Sequence, residues 1–275
     1  MMIKATVVIL TLNSARKLLR CLKNLSEFDE KIAIDGGSID NTINILKKNN
    51  FKIFKQDKKY KFPDKKIKNF DKIRFKALGY SSNNLIFFID SDEFIKNKFI
   101  NKLKFLSKTQ YLSNRVYYYL IRRDVIFQNC KITNTGFWPN WHPRLIYKNN
   151  ITSYVKSVHE RPVVTFNSYS AVKRLFDEAI HFDFPSSVNR INQKQEYYYK
   201  IEKLLMVNSL NLRSLQFIIF RLLVLTKVLL ISTKNFLFYS KGEFSKLEIL
   251  MILINFRFSI KLFLSLFQLK KTSQK

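Results

Sequence analysis

The chain has 275 residues, 47% of them hydrophobic, with 26 Phe and 13 Tyr but only 5 Gly and 5 Pro; this excludes a disordered or fibrous chain and suffices for one sizeable core, or one core plus an appendage. Its two cysteines, Cys21 and Cys130, stand far apart with no Cys-x-x-Cys or Cys/His spacing, which argues against a disulfide framework or zinc site and fits a reducing cytosol. The formal net charge of +29 admits nucleic-acid phosphates, an anionic membrane, or the Lys/Asn/Ile/Phe-rich drift of an AT-rich genome, and it is spread along the chain without a compact basic arm.

Ala5 to Leu10 is a short β-branched run and reads as a buried strand. It is too short, and followed too soon by Asn13, for a secretory signal. Asn13 or Ser14 is the expected cap of a helix with Leu18, Leu19, Leu22 and Leu25 on its apolar face. Lys31 to Ile34 reads as a second strand ending at Asp35, followed by the turn Gly36-Gly37-Ser38. Asp40 is a suitable cap for the next helix, and Phe51 to Phe54 makes a third strand. A Lys-rich stretch from Gln56 to Asn69 reads as loop. A helix near Ile73 to Tyr80 then leads into the most apolar strand, Leu85 to Ile89, which ends at Asp90-Ser91-Asp92.

This alternation predicts an α/β fold, a mostly parallel sheet with helices on both faces. Tyr111 to Ile126 turns strand-like and aromatic, Gly136 to His142 reads as a Trp- and Pro-rich loop, and Val163 to Phe166 as one more strand. From about Val188 the pattern is helical. Leu215 to Ile231 and Leu247 to Phe267 approach bilayer length. Arg221 and Lys227 interrupt the first, Arg257 and Lys261 the second. Each such cation costs roughly 2.5–3.5 kcal/mol at a bilayer centre. The expected reading is therefore helices lying in the interface, against the alternative of amphipathic helices that simply pack on the rest of the protein. Residues 1–205 are expected to form one catalytic domain and 206–275 a helical, membrane-associating region.

Asp90 and Asp92 close a central strand, where open α/β sheets place their ligands. Two carboxylates one residue apart can share a divalent cation that bridges a diphosphate; they can equally be a strand-end or helix-cap pair. Glu93 is an acidic neighbour or a helix-start residue.

Three segments in this order carry a resemblance: Val7-Val8-Ile9-Leu10-Thr11-Leu12-Asn13, Ile34-Asp35-Gly36-Gly37-Ser38-Ile39-Asp40-Asn41-Thr42, and Phe87-Phe88-Ile89-Asp90-Ser91-Asp92-Glu93. Together they resemble the family 2 glycosyltransferases of the GT-A (Rossmann-like) fold. Trp138 through Arg144-Leu145, then Val158-His159-Glu160, then Ile180-His181, resembles the subgroup that elongates lipopolysaccharide cores.

The resemblance implies an inverting transfer from a nucleotide-diphosphate sugar, a UDP-sugar by default, to a saccharide or lipid-linked acceptor in cell-envelope polysaccharide or lipopolysaccharide-core synthesis. It places the enzyme at the inner face of the cytoplasmic membrane, as a cytoplasmic protein held peripherally on anionic lipid. Thr11, Asn13 and Asp35 would line the base and ribose pocket; the alternative for Asp35 is the cap of the Gly-Gly-Ser turn. Asp90 and Asp92 would hold the diphosphate through Mg2+ or Mn2+, with Ser91 at the donor and His181, or His159, completing the metal shell or serving structure. Arg74 matches an arginine near the donor phosphates, although the family's following Asn is Phe75 here. Arg190 and Lys194, at i and i+4, would clamp the diphosphate or form a solvated face. Glu160 is the candidate base that takes the acceptor's proton, with Asp124 and Asp183 as rivals. Trp138, Trp141 and Arg144 would form the acceptor wall. A non-catalytic nucleotide-sugar-binding relative is the alternative. No nucleic-acid partner is expected, for no helix-turn-helix, zinc or RNA-binding motif is visible.

Overall fold

The structure, a computed structural model, describes residues 2–109, 115–127, 130–132, 140–157, 160–165, 171–183, 188–207, 218–219, 222–227, 229–230, 233, 249 and 252–264. The chain forms two compact units, Met1–Asp124 with Pro139–Asp183, and Val125–Trp138 with Phe184–Lys275.

The first unit is built on four parallel strands: β1 (Ile3–Thr11), β2 (Phe28–Asp35), β3 (Lys52–Lys55) and β4 (Leu85–Asp90), in the order β3-β2-β1-β4. The central strands are apolar on both faces, as a parallel sheet covered by helices requires. Ile3, Ala5, Val7 and Ile9 join one core with Phe87 and Ile89, while Val8 and Leu10 join another with Ile86 and Phe88. The crossovers carry α1 (Ala15–Leu22), α2 (Thr42–Lys48) and α3 (Phe70–Tyr80). α1 buries Leu18, Cys21 and Leu22 in the first core, and α3 buries Ile73, Ala77 and Leu78 in the second, so helices cover both faces.

Beyond β4 the pairing becomes antiparallel. β5 (Glu93–Phe94) and α4 (Asn97–Lys108) follow β4, then β6 (Val116–Phe127), β7 (Cys130–Ile132) and β8 (Asn140–Tyr147). β8 lies between β4 and β6, antiparallel to both. Its residues Asn140 to His142, read from sequence as loop, are strand. Pro143, which lacks the N–H a central strand needs, sits where the register against β6 shifts, between Tyr119 and Leu120. β9 (Ile151–Val155) and β10 (Arg161–Val164) form a separate hairpin. β11 (Ala171–Asp183) returns to the sheet and pairs with β5. The 13-residue β11 and the helix α4 were not evident from sequence.

In the second unit α5 (Val188–Val207) shares apolar clusters with the helical residues 218–219, 222–227 and 229–230 and with 252–264. Ile191 meets Ile254 and Phe258; Tyr199 packs against Phe258 with ring centroids 5.3 Å apart. Ile218 meets Leu262, and Leu225 meets Ile252. Among the described residues no helix is long and apolar enough to cross a membrane.

Candidate functional site

The carboxyl ends of β1, β2 and β4 lie side by side, because Thr11 pairs with Asp35 and Leu10 with Asp90. Asp35 is buried, and both its oxygens are used. Oδ1 accepts from Thr11 Oγ1 (3.0 Å) and Ser38 Oγ (2.6 Å), and Oδ2 from the N–H groups of Gly37 (2.7 Å) and Ser38 (2.8 Å). Four bonds fill a carboxylate's acceptor capacity. Asp35 therefore caps the Gly-Gly-Ser turn, with Gly37 at φ +98° supplying the left-handed bend. Thr11 is committed to the same cap.

Asn13, also left-handed at φ 48°, ties its own loop to that turn. Its N–H donates to Ser38 Oγ (2.9 Å) and its Oδ1 accepts from the Ile39 N–H (2.9 Å). Lys61 and Lys65, from the lysine-rich stretch, fold over the turn and donate to the carbonyls of Gly36 (2.8 Å) and Gly37 (3.3 Å). No local pattern in the lysine-rich stretch marks these two cations at the rim.

Asp90 sits in a cluster that sequence reading did not foresee. Arg144, from β8, grips it with two bonds, Nη1 to Oδ1 at 3.1 Å and Nη2 to Oδ2 at 2.6 Å, and also reaches Glu93 Oε1 at 2.8 Å. Arg74, from α3, donates through Nη2 to Asp90 Oδ1 (3.0 Å) and through Nε to Glu160 Oε1. Arg123 lies 3.7 Å from Glu93. Three guanidinium groups thus neutralise three carboxylates.

The electrostatics follow. Burial pushes the Asp90 carboxyl up, but Arg144 and Arg74 outweigh it and hold it well below the usual range. Glu93, fully buried, goes the other way: desolvation raises it, only partly offset by Arg144. Burial lowers Arg74, and Glu160 with Asp90 raises it by more.

Arg144 was expected in the acceptor wall. It is buried and its guanidinium is committed to Asp90 and Glu93, so its place is under the acidic motif. Glu160 reaches the motif because the hairpin β9–β10 packs on α3. Asn69, at the start of α3, donates through Nδ2 to Ser157 Oγ (3.1 Å), and the Phe70 N–H reaches the Ser157 carbonyl (3.3 Å). Tyr154 of β9 packs with Ile73 and Ala77. The rival Asp124 is buried in a two-bond pair with Arg122, 2.7 and 3.3 Å. The Asp183 side chain, His159 and Trp138 lie outside the described residues.

The two members of the acidic pair are similarly exposed, Asp90 by 33% and Asp92 by 28% of its side chain, but Asp92 lies outside the arginine cluster, with Lys17 Nζ 3.6 Å away. Ser91 Oγ is 3.0 Å from Ser14 Oγ, which joins the β4 end to the start of α1. His181 is not brought into a set with Asp90 and Asp92. It is buried on β11 opposite Phe94, the two rings stacked at 5.1 Å, and Arg20 covers the same Phe94 ring at 3.8 Å. Among the described residues no group of three or more His, Cys, Asp or Glu side chains could hold a metal ion. Trp141, on β8, meets Phe176 edge-on at 5.2 Å, with Arg174 5.5 Å over its ring. Arg190 and Lys194 are exposed on α5 of the second unit.

No curated protein matches the chain. Solved structures similar to it include S. aureus TarS 1-349 in complex with UDP, at 18% identity over 76% of this chain and 66% of that chain, TM-score 0.45. The chain thus spans just under two thirds of that structure's length. The same protein with UDP-GlcNAc aligns at 14% identity over 92% and 90%, TM-score 0.47. Glucosyl-3-phosphoglycerate synthase from Mycobacterium tuberculosis, with Mn2+, UDP and glucosyl-3-phosphoglycerate, aligns at 18% identity over 45% and 44%, TM-score 0.30. The turn after β2, the acidic end of β4 and the parallel strands that carry them all fall within residues 6–171, which match the family described as glycosyl transferase family 2; that is more than half of the chain, and the chain belongs to that family, with its GT-A fold.

Proposed function

We propose that the chain is an inverting, divalent-metal-assisted transferase of sugar from a UDP-sugar to a saccharide or lipid-linked acceptor of cell-envelope polysaccharide or lipopolysaccharide core. The observation that carries this reading is a single guanidinium. Arg74 joins Glu160 to Asp90, so the candidate base and the acidic motif are one construction at the sheet's carboxyl edge.

The donor set suits a metal of one particular kind. Mg2+ and similar ions commonly bind one or two carboxylates and complete their shell with water and substrate phosphates. Asp92 has Lys17 Nζ near it, at 3.6 Å, while Asp90 is neutralised by two arginines. Asp92 would hold a Mg2+ or Mn2+ ion together with the donor's diphosphate, while the charge of Asp90 is balanced by Arg74 and Arg144. When bound, the ion neutralises charge on the departing diphosphate. Lys61 and Lys65 stand at the Gly-Gly-Ser turn after β2.

In the transfer the acceptor hydroxyl attacks the anomeric carbon as the bond to the diphosphate breaks, and Glu160 takes the hydroxyl proton. The acceptor wall assigned to Trp138 and Trp141, the donor roles of Thr11, Asn13, Asp35, Ser91 and Arg190, and a place for His181 near the metal are carried by the resemblance rather than by contacts. Asp35 and Thr11 would act by shaping the turn. The expected result is that Asp92→Ala and Glu160→Gln each lower kcat by at least about 100-fold, the scale of one proton-transfer or charge-stabilising group. Circular dichroism would remain unchanged. Full turnover in Asp92→Ala, with Mn2+ and a panel of nucleotide sugars, would defeat the reading. Donor binding by the wild type without turnover on any acceptor would favour the non-catalytic alternative.

The membrane reading rests on the second unit. Ile219, Leu223 and Leu230 are exposed along residues 218–230, at spacings of four and seven, with Lys227 beside them. Leu253, Ile260 and Leu264 do the same along 252–264, with Arg257 and Lys261. Apolar side chains interleaved with cations suit the headgroup level of an anionic membrane, which would hold the protein peripherally at the inner face.

A further inference from the structure

Outside the acidic site, the first unit carries an open recess of about 660 Å3 on the outer side of α3. Its lining includes Lys59, Tyr60, Lys72, Phe75, Gly79 and Lys148. The volume falls within the range of small-molecule sites. We propose that it is a second saccharide-binding site, for a sugar chain that carries phosphate or carboxylate groups; this rests on the reading of the protein as a sugar-handling enzyme.

Two observations converge. The charge is one-sided: four lysines line the recess against one acid, Asp57, and that acid is already paired with Lys76 at 2.8 Å. Lys148 is turned to the Ser81 carbonyl at 2.6 Å, but Lys59 and Lys72 are exposed. Ammonium groups on flexible stems suit phosphate as point charges.

The aromatic surface is the second. Phe75 is 41% exposed on a helix face otherwise made of Lys72, Lys76 and Gly79, and Tyr60 stands on the adjacent 3-10 turn. An apolar ring among cations gains nothing from water and offers a flat face to a sugar ring.

Gly79, next to last in α3, borders the recess, and a Cβ there would meet nothing within 4 Å, so a bulky side chain at this position would fill the space. A membrane surface needs no such concavity, whereas a sugar chain does.

The test uses the full chain and calorimetry with a phosphorylated mannose oligosaccharide, its unphosphorylated counterpart, inorganic phosphate, and vesicles of anionic phospholipid. The phosphorylated oligosaccharide should bind about tenfold more tightly than the neutral one. K59E/K72E and G79W should each weaken it about tenfold, or 1.4 kcal/mol. The control K98E/K108E makes the same charge change on exposed positions of α4 and should weaken it less than about twofold. Equal loss in the control, or no loss in G79W, would overturn the site. So would variants that lose only vesicle binding, which would make the patch a membrane contact. Nucleotide-sugar hydrolysis, measured in parallel, should survive K59E/K72E; its absence in the wild type would strike the enzymatic reading and leave the binding result standing.

Discussion

Arg144 carries more of the acidic motif than its place in the sequence suggests. Among the described residues it bonds both Asp90 and Glu93; its removal leaves the fully buried Glu93 facing Arg123 at 3.7 Å, and Asp90 bonded to Arg74. Breaking a buried ion pair in this way costs about 3–5 kcal/mol, so Arg144→Ala should lose that much in urea unfolding. Arg144→Lys keeps the charge but not the fork that spans two oxygens, and should recover only part of the loss. A variant of wild-type stability would show that Asp90 and Glu93 find their charge balance elsewhere.

Glu30 gives a pH prediction at the same scale. Burial raises its carboxyl, but bonds from Thr6, Lys52 and Ser82 prevail and hold it at about 2, against 4.5 ordinarily. A carboxyl lowered on folding stabilises the protein above its unfolded value and loses that contribution as pH falls toward its folded value. Stability on the order of 2 kcal/mol should therefore disappear between pH ~4.5 and ~2, and Glu30→Gln should flatten the unfolding free energy over that window.

Single residues were legible in sequence only where local context marked them. Asp90 and Asp92 announce themselves by closing an apolar strand. The pairing of Arg74 with Glu160 spans 86 residues, and no spacing rule reaches that far. Arg144 was drawn to the acceptor side by its aromatic neighbours Trp138 and Trp141, although alternation along β8 turns it under the acidic motif.

At the scale of elements, the strands legible from sequence are those buried on both faces. β1, β2 and β4 are continuous apolar runs, so length and composition identify them. β8 and β11 carry Trp, His, Pro, Arg and Asp among their apolar residues, and local pattern misses them because their place is fixed by pairing with distant strands. The helix caps show the same limit. Ser14, a plausible cap of α1, makes no capping bond from its side chain. Asp40 does this work from another element: Oδ2 accepts from the Ala15 N–H at 3.1 Å, and Oδ1 from the Thr42 N–H at 3.0 Å and Oγ1 at 2.5 Å. One carboxylate thereby serves the starts of α1 and α2. Burial opposes its charge, and the bonds from Thr42 and Ala15 hold its carboxyl below the ordinary value. Losing one helix cap costs about 1 kcal/mol. Asp40→Ala should cost about 2 kcal/mol in chemical denaturation because two helix starts depend on it; a cost below about 0.5 kcal/mol would mean that water replaces both contacts.

For the whole molecule, the question is how a chain of net charge +29 divides that charge between surfaces. The first unit concentrates arginine at the acidic site, where it is neutralised, and lysine around the recess, where four face one acid. The second unit instead mixes cations with exposed leucine and isoleucine. These two patterns predict different salt behaviour. Purely electrostatic binding fades as screening shortens to about 10 Å at 0.1 M salt, whereas a buried leucine contributes roughly 1.5–3 kcal/mol that salt does not weaken. If the second unit holds the membrane, wild-type protein should remain on vesicles of anionic lipid at moderate salt. The double variant Leu223→Glu/Leu253→Glu should sediment with them at least about tenfold less well, and deletion of everything after Leu210 should release the protein altogether. Both substitutions replace exposed residues (65% and 49%), so the fold should tolerate them, and donor turnover in detergent should stay at the wild-type level. Vesicle binding that survives these changes but falls away with added salt would assign the attraction to dispersed lysine alone and leave the helices a purely structural role.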